Sequence, residues 1–169
     1  MFYNAEYNQY VVEGTQFTLG DITYPPQWLN QSTPEQKAEA GLVEVVATNS
    51  PANQQFYWVS EQLNGPELTY VNTPMDLDTL KATWTGNINS QAYSLLFPSD
   101  WMVIKATDTQ TPIDPAWNTY RAEVRATADQ TKTAIAACTT VPELETLVLN
   151  VQWPHDPNWV DPTQNNQPA

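Results

Sequence analysis

At Thr73-Pro74 the hydrophobic period of this chain changes, and that change limits what it can fold into. Before it, Thr15 to Leu19 alternates well enough for a strand, with Gly20-Asp21 as the turn that follows. Leu42-Val43-Glu44-Val45-Val46 reads as a further strand. Phe56 to Val59 and Leu68 to Val71 read as two more, separated by the turn signal Asn64-Gly65-Pro66. After it, Leu77, Leu80, Trp84, Ile88, Ala92 and Leu95 recur at steps of three and four, one apolar face of a helix. Gly86 costs that helix about 1 kcal/mol, and Pro98 stops it, because the residue before a proline is pushed out of the α region. Ser99 to Ile104 then connects to a second long helix, without a pattern that fixes its type. Asp114 is the N-cap of that helix and Pro115 its first residue. Trp117, Tyr120, Val124, Ala128 and Ile135 carry its apolar face to about Ala137. A shorter helix follows Thr140-Val141-Pro142 with Leu144, Leu147 and Val148. The expected fold class is α+β: a small antiparallel β-rich module, then an α-helical hairpin in which Trp84 is buried against Trp117. Each such ring contributes about 1.5–3 kcal/mol.

The segments follow from this reading. Residues 1–14 form an N-terminal arm, residues 15–73 the β-rich module, residues 74–150 the hairpin module, and residues 151–169 a tail rich in Pro and Trp. Within the β-rich module, Ser32-Thr33-Pro34-Glu35 reads as a capping box with Ser32 as N-cap, and Gly41 closes the short helix. Tyr24-Pro25-Pro26 favours extended or polyproline backbone up to Trp28 and Leu29. The arm has no clear period: Phe2, Tyr3, Tyr7 and Tyr10 lie among Asn, Glu and Gln. It reads equally as a strand, a loose end, or a strip that orders on a neighbour. Three prolines in nine residues, from Pro154 to Pro162, exclude regular structure near the C-terminus. Phe2, Tyr3 and Tyr7 in the arm, and Trp153, Pro154 and Trp159 in the tail, are the candidate partner-binding residues.

Composition narrows the partners. A chain of 169 residues has room for one compact domain or two small modules. Seven Trp and fourteen Pro, with Asn, Gln and Thr where Lys and Glu usually sit, suit a surface that binds protein or sugar. The same Trp rings serve equally well as core. The net charge of −13 repels phosphate backbones and anionic membranes, so neither nucleic acid nor membrane is an expected partner. No apolar run approaches the roughly 18 residues of a membrane span. Met1 to Tyr10 lacks the basic and apolar parts of a signal peptide. A cytoplasm-like location is therefore expected, unless the chain leaves inside a larger particle.

Catalytic and metal chemistry find few candidates. His155 is the single histidine, so no histidine-based triad or multi-histidine metal site can be assembled. Cys138 is the single cysteine, in the small-residue run 134–138 where a buried, inert thiol is the default. Asp76 and Asp78, Glu143 and Glu145, and Asp156 and Asp161 are carboxylate pairs. Asp76 is better read as an N-cap, and Glu143 as a first-turn residue favoured by the helix dipole. No cofactor is implied. Among the few cations, Arg121 and Arg125 stand four apart on one helix face, with Asp100 as their expected partner.

Three strings in order then resemble a known pattern. They are Leu95-Leu96-Phe97-Pro98-Ser99-Asp100-Trp101, then Trp117-Asn118-Thr119-Tyr120-Arg121 with Val124-Arg125, then Trp153-Pro154-His155-Asp156-Pro157. Together they resemble the C-terminal part of phage tail assembly chaperones, over about residues 75–157. Tyr24 to Leu29 and Ser32 to Glu35 are similar to N-terminal segments of tail-fibre-associated proteins. The resemblance implies a non-enzymatic partner of a phage tail fibre that helps the fibre trimer to fold, acting in the host cytoplasm and in some members retained in the virion. It implies that Asp100, Trp101, Trp117, Tyr120, Arg121 and Arg125 act as scaffold. The insert Ala126 to Val151 and the extra Trp159 depart from the pattern. They leave a permanent tail component, such as a baseplate or fibre adaptor, as the alternative. A carbohydrate-binding module is a further alternative, suggested by aromatic residues among Asn and Gln.

Overall fold

The computed structural model describes residues 1–159; Asp161, Pro162 and the polar tail from Gln164 lie outside the described residues. About 47% of the chain is helix and 21% strand, with small sheets first and helices after, an α+β protein. It divides into two compact units, Met1–Pro74 and a second that begins at Met75.

The first unit begins in a sheet, not in an arm. β1 (Phe2–Asn4) pairs antiparallel with β2 (Gln9–Val11) on one side and, on the other, with β5 (Leu42–Glu44). The period of two sends Phe2, Asn4, Val11 and Leu42 inward and leaves Tyr3 and Tyr10 as a cross-strand pair, rings 5.0 Å apart. β3 (Phe17–Leu19) and β4 (Ile22–Tyr24) make a hairpin. Phe17 stacks on Tyr24 at 4.8 Å, and Trp28 of α1 (Trp28–Gln31) closes on Tyr24 at 4.6 Å. Phe2, Val11, Phe17, Leu19, Leu29 and Leu42 form one buried cluster beneath these rings.

The capping box of α2 (Pro34–Glu39) lies one residue later than the sequence pattern suggested. Thr33 is the N-cap and Gln36 the N3 residue, whose Oε1 accepts from the Thr33 amide at 2.9 Å. The shift puts Pro34 at the first helical position, where its missing N–H costs nothing. Ser32 instead donates to the Trp28 carbonyl at 2.6 Å and closes α1. Gly41, at φ +68°, ends α2 as expected and gives close passage to Asn4, whose amide nitrogen would lie 3.0 Å from a Cβ there.

The expected strand Leu42–Val46 is two strands, because the chain changes sheets at Val45. β6 (Val46–Ala47) runs parallel to β8 (Glu67–Pro74), which pairs antiparallel with β7 (Tyr57–Asn64). Both long strands extend well past the predicted runs, and Gly65 at φ +56° opens the two-residue turn between them.

In the second unit, α3 (Leu77–Leu96) runs unbroken through Gly86. A 3-10 turn (Phe97–Ser99) follows at Pro98, and the connecting element is itself a helix, α4 (Asp100–Thr109). α5 (Pro115–Ala137) packs along α3, and α6 (Val141–Leu149) covers both. Leu80, Ile88 and Ala92 of α3 are buried with Val124, Ala128 and Ile135 of α5 and Leu144 of α6.

The antiparallel register separates the two tryptophans expected to meet. Tyr120 bonds to Leu95, and Lys81 to the carbonyl of Ala136. Trp84 is therefore level with residues near 132 and Trp117 with Pro98, about 22 Å apart along the axes. Small and branched aliphatic residues fill the space between α3 and α5.

Two outcomes check this packing. Asn4 is 1% exposed, donating to the Ala40 carbonyl at 2.9 Å and accepting from the Tyr7 amide at 3.0 Å. Asn4→Ala strands both partners and is expected to cost about 1–3 kcal/mol in urea unfolding. Glu143 is held below the usual carboxylate range, first by the Thr139 amide and then by its hydroxyl; Asp76 is lowered by the Thr79 hydroxyl and then its amide. A carboxylate lowered in the folded state stabilises above its unfolded pKa and loses that contribution as pH falls through the folded one. Melting temperature is expected to fall as pH drops through and below the ordinary carboxylate range, with a shallower fall in Glu143→Gln.

Candidate functional site

The motif residues of the second unit converge where α3 ends. The last carbonyls of a helix have no partner within it, and they attract cations. Arg121, on α5, lies 5% exposed and fills this role for α3. Its Nη1 donates to the Leu96 carbonyl at 3.0 Å and to the Ser99 hydroxyl, and its Nη2 to Asp100 Oδ1 at 2.7 Å. Tyr120 adds a bond from its hydroxyl to the Leu95 carbonyl at 3.3 Å, and burial raises its pKa. At the opposite end the roles reverse: Lys81 of α3 donates to Ala136, in the last turn of α5, at 3.1 Å. Each long helix thus has its C-terminal carbonyls met by a cation from the other.

Arg125 does not share Asp100. It is exposed and donates to the Arg121 carbonyl at 3.3 Å, because Asp100 is already in line with the Arg121 fork. Trp101 is not a buried scaffold residue either, with 56% of its surface exposed. Trp117 is half-buried, edge-on to Tyr120 at 5.8 Å. The two indoles flank a groove of about 320 Å³, lined also by Met102, Lys105, Pro112 and Ile113. Lys105 sits 5.8 Å from the Trp101 ring centre.

Of the tail residues, Trp153 and Pro154 are half-buried. Trp153 donates from Nε1 to Gln91 Oε1 at 2.9 Å, so the tail docks on α3. Trp159 is exposed and stacks on the His155 imidazole at 3.9 Å. In the first unit, Phe2 belongs to the core and Tyr3 to a cross-strand pair, which removes Phe2 from the candidate binding residues; Tyr7 remains exposed. Cys138 is half-buried at the end of α5, its thiol donating to the Ala134 carbonyl at 3.3 Å.

One surface was not found from the sequence. Tyr93, Phe97, Trp101 and Ile104 are each more than half exposed and follow one another at steps of four, four and three. That is the spacing of neighbours on a helix face, carried here across the end of α3, the 3-10 turn and α4. The Tyr93 and Phe97 rings lie 5.6 Å apart. The signal was present as a second apolar stripe beside the core-facing one, masked by Pro98 in its middle. Among the described residues no cluster of His, Cys, Asp or Glu is arranged to hold a metal ion, and no helix is long and apolar enough to cross a membrane.

No family model, no curated protein and no solved structure matches the chain.

The lock makes a graded prediction. Arg121→Ala leaves the buried Ser99 hydroxyl without its donor and the Leu96 carbonyl with the Ser99 hydroxyl alone, and is expected to cost on the order of 2–4 kcal/mol in chemical denaturation. Arg121→Lys recovers little of it, since one ammonium cannot reproduce the planar fork. Asp100→Asn, at the half-exposed end, costs less than about 1 kcal/mol.

Proposed function

We propose that this protein binds another protein without catalysing a reaction, and that its partner is a phage tail fibre whose assembly it assists. The observation that carries the reading is the convergence of the ordered motifs. The Leu-Leu-Phe-Pro-Ser-Asp-Trp string, the Tyr-Arg pair and the Trp-Pro string meet at one region of the helical unit. The motif residues with polar partners build the lock, and beside them stand exposed rings of Phe97 and Trp101. Large rings left in water at a helix end and the first turn of the next helix suit a binding surface, because they have few torsions to lose when covered.

Coexpression with the fibre gene of the same genome tests this. The native chain is expected to raise the yield of soluble fibre trimer several-fold. Phe97→Ser combined with Trp101→Ser should abolish that gain while leaving the melting temperature nearly unchanged. Equal trimer yields with and without the native chain would sink the proposal. Mass spectrometry of purified particles reports whether the protein then remains in the tail.

A further inference from the structure

The β6–β8–β7 sheet of the first unit carries an inference independent of the fibre reading. Side chains alternate between faces along a strand, and residues directly opposite one another share a face. The register therefore puts Tyr57, Val59, Leu68, Tyr70 and Asn72 on one side, where all five are half-buried. Trp58, Ser60 and Gln62 of β7 lie on the other side with Val71 and Thr73 of β8, and all five are exposed.

Polar residues are the rule on such an outward face, and Trp58 and Val71 break it. Trp58 is 67% exposed and Val71 40%. Trp58 stands opposite Thr73 and Val71 opposite Ser60, so the two apolar residues are diagonal neighbours with a hydroxyl beside each. The Trp58 indole N–H and the side chains of Ser60, Gln62 and Thr73 have no polar partner among the described residues. β7 is the outer strand, which leaves this spot open at its side as well. There the backbone groups of Glu61 and Leu63 point away from β8, since their opposites Tyr70 and Leu68 bond to Asn49 and Thr48.

Charge and size decide what fits. The first unit holds eight Asp and Glu against one Lys. On this face of the hairpin the one charge is Glu67, three pairs from Trp58 and about 20 Å along the strand. A charged partner finds nothing to read at the indole itself. A protein partner finds two apolar side chains, where a standard interface takes roughly 20–30 residues a side. A sugar ring meets both conditions. One face of a pyranose offers C–H groups that lie against the negative face of an indole. Its rim offers hydroxyls that need neutral donors and acceptors.

We propose that this face binds a neutral polysaccharide, one pyranose ring stacking on Trp58 with its hydroxyls bonded to Ser60 and Thr73. A single ring on an open sheet is a weak contact, so the occupant is a polymer that displays many such rings at once.

An array of neutral and acidic polysaccharides, probed with the full chain tetramerised on streptavidin, tests this. Signal is expected on neutral polymers alone and should not change between about 0.05 and 0.5 M salt. Trp58→Ala should reduce it about tenfold or more, and Trp58→Tyr should retain part of it. Ser60→Arg keeps the indole but lays a guanidinium over it, and should reduce the signal as Trp58→Ala does. Trp101→Ala should leave it unchanged. Melting temperatures of the four variants report that each is folded. No signal on any polymer overturns the proposal. So does signal confined to acidic polymers, or binding that survives both Trp58→Ala and Ser60→Arg. Trp58→Ala should not alter the yield of fibre trimer, so the two readings fail separately.

Discussion

The second unit depends on one guanidinium. Arg121 reaches across from α5 to the unpaired end of α3 and holds a carbonyl, a hydroxyl and a carboxylate at once. A helix end without partners has to be solvated, and here Ser99 is fully buried, so water is not the solution. The planar fork satisfies it from the neighbouring helix and in doing so fixes the sliding register of the pair. Lys81 does the equivalent at the other end. A chain with six cations against nineteen acids commits two of them to this mutual capping. Everything around it follows from the register: the approach of Tyr120 to Leu95, the groove between Trp101 and Trp117, and the turn at Pro98 that aims Phe97 into water.

The period change at Thr73-Pro74 made the α+β class legible, because side-chain spacing reports local backbone directly. Two caps were legible for the same reason: Asp76 and Asp114 open their helices as short-range patterns imply, whereas the box read at Ser32 lies at Thr33 and the cap at Thr140, with its helix starting at Val141, was not read. The long-range pairings were not. Trp84 and Trp117 share faces with the right residues, yet periodicity says nothing about how far one helix slides along another. The Arg121 bond to Asp100 was readable as a charge pair, but its bonds to Leu96 and Ser99 were not, since any backbone carbonyl is equally available in a sequence. Residues 1–11 stayed open between strand, loose end and docking strip because three-residue strands are too short to display a period. Their order comes from β5, which arrives some forty positions later.

Indoles divide between two uses in this protein, and burial tells them apart. Trp28 packs against Tyr24 beside a closed core, and Trp153 pins a segment to α3. Trp58 and Trp101 instead stand in water, on β7 and on α4. An exposed indole on a frayed end says little about recognition. An exposed indole on a helix beside a buried arginine lock has few side-chain torsions left to fix, so covering it loses little entropy.

The two exposed surfaces differ in what they select. On α4 and the end of α3, side chains project from a helix whose backbone bonds are already made, so recognition there depends on the shape of the rings and on what fills the spaces between them. On β7 the unfilled groups are backbone amides and carbonyls, which any extended chain can meet. Specificity at such an edge has to come from the side chains flanking it and from charge. Glu61 is the only charged residue on that strand, and in a chain of net charge −13 it weighs against any acidic segment laid beside it.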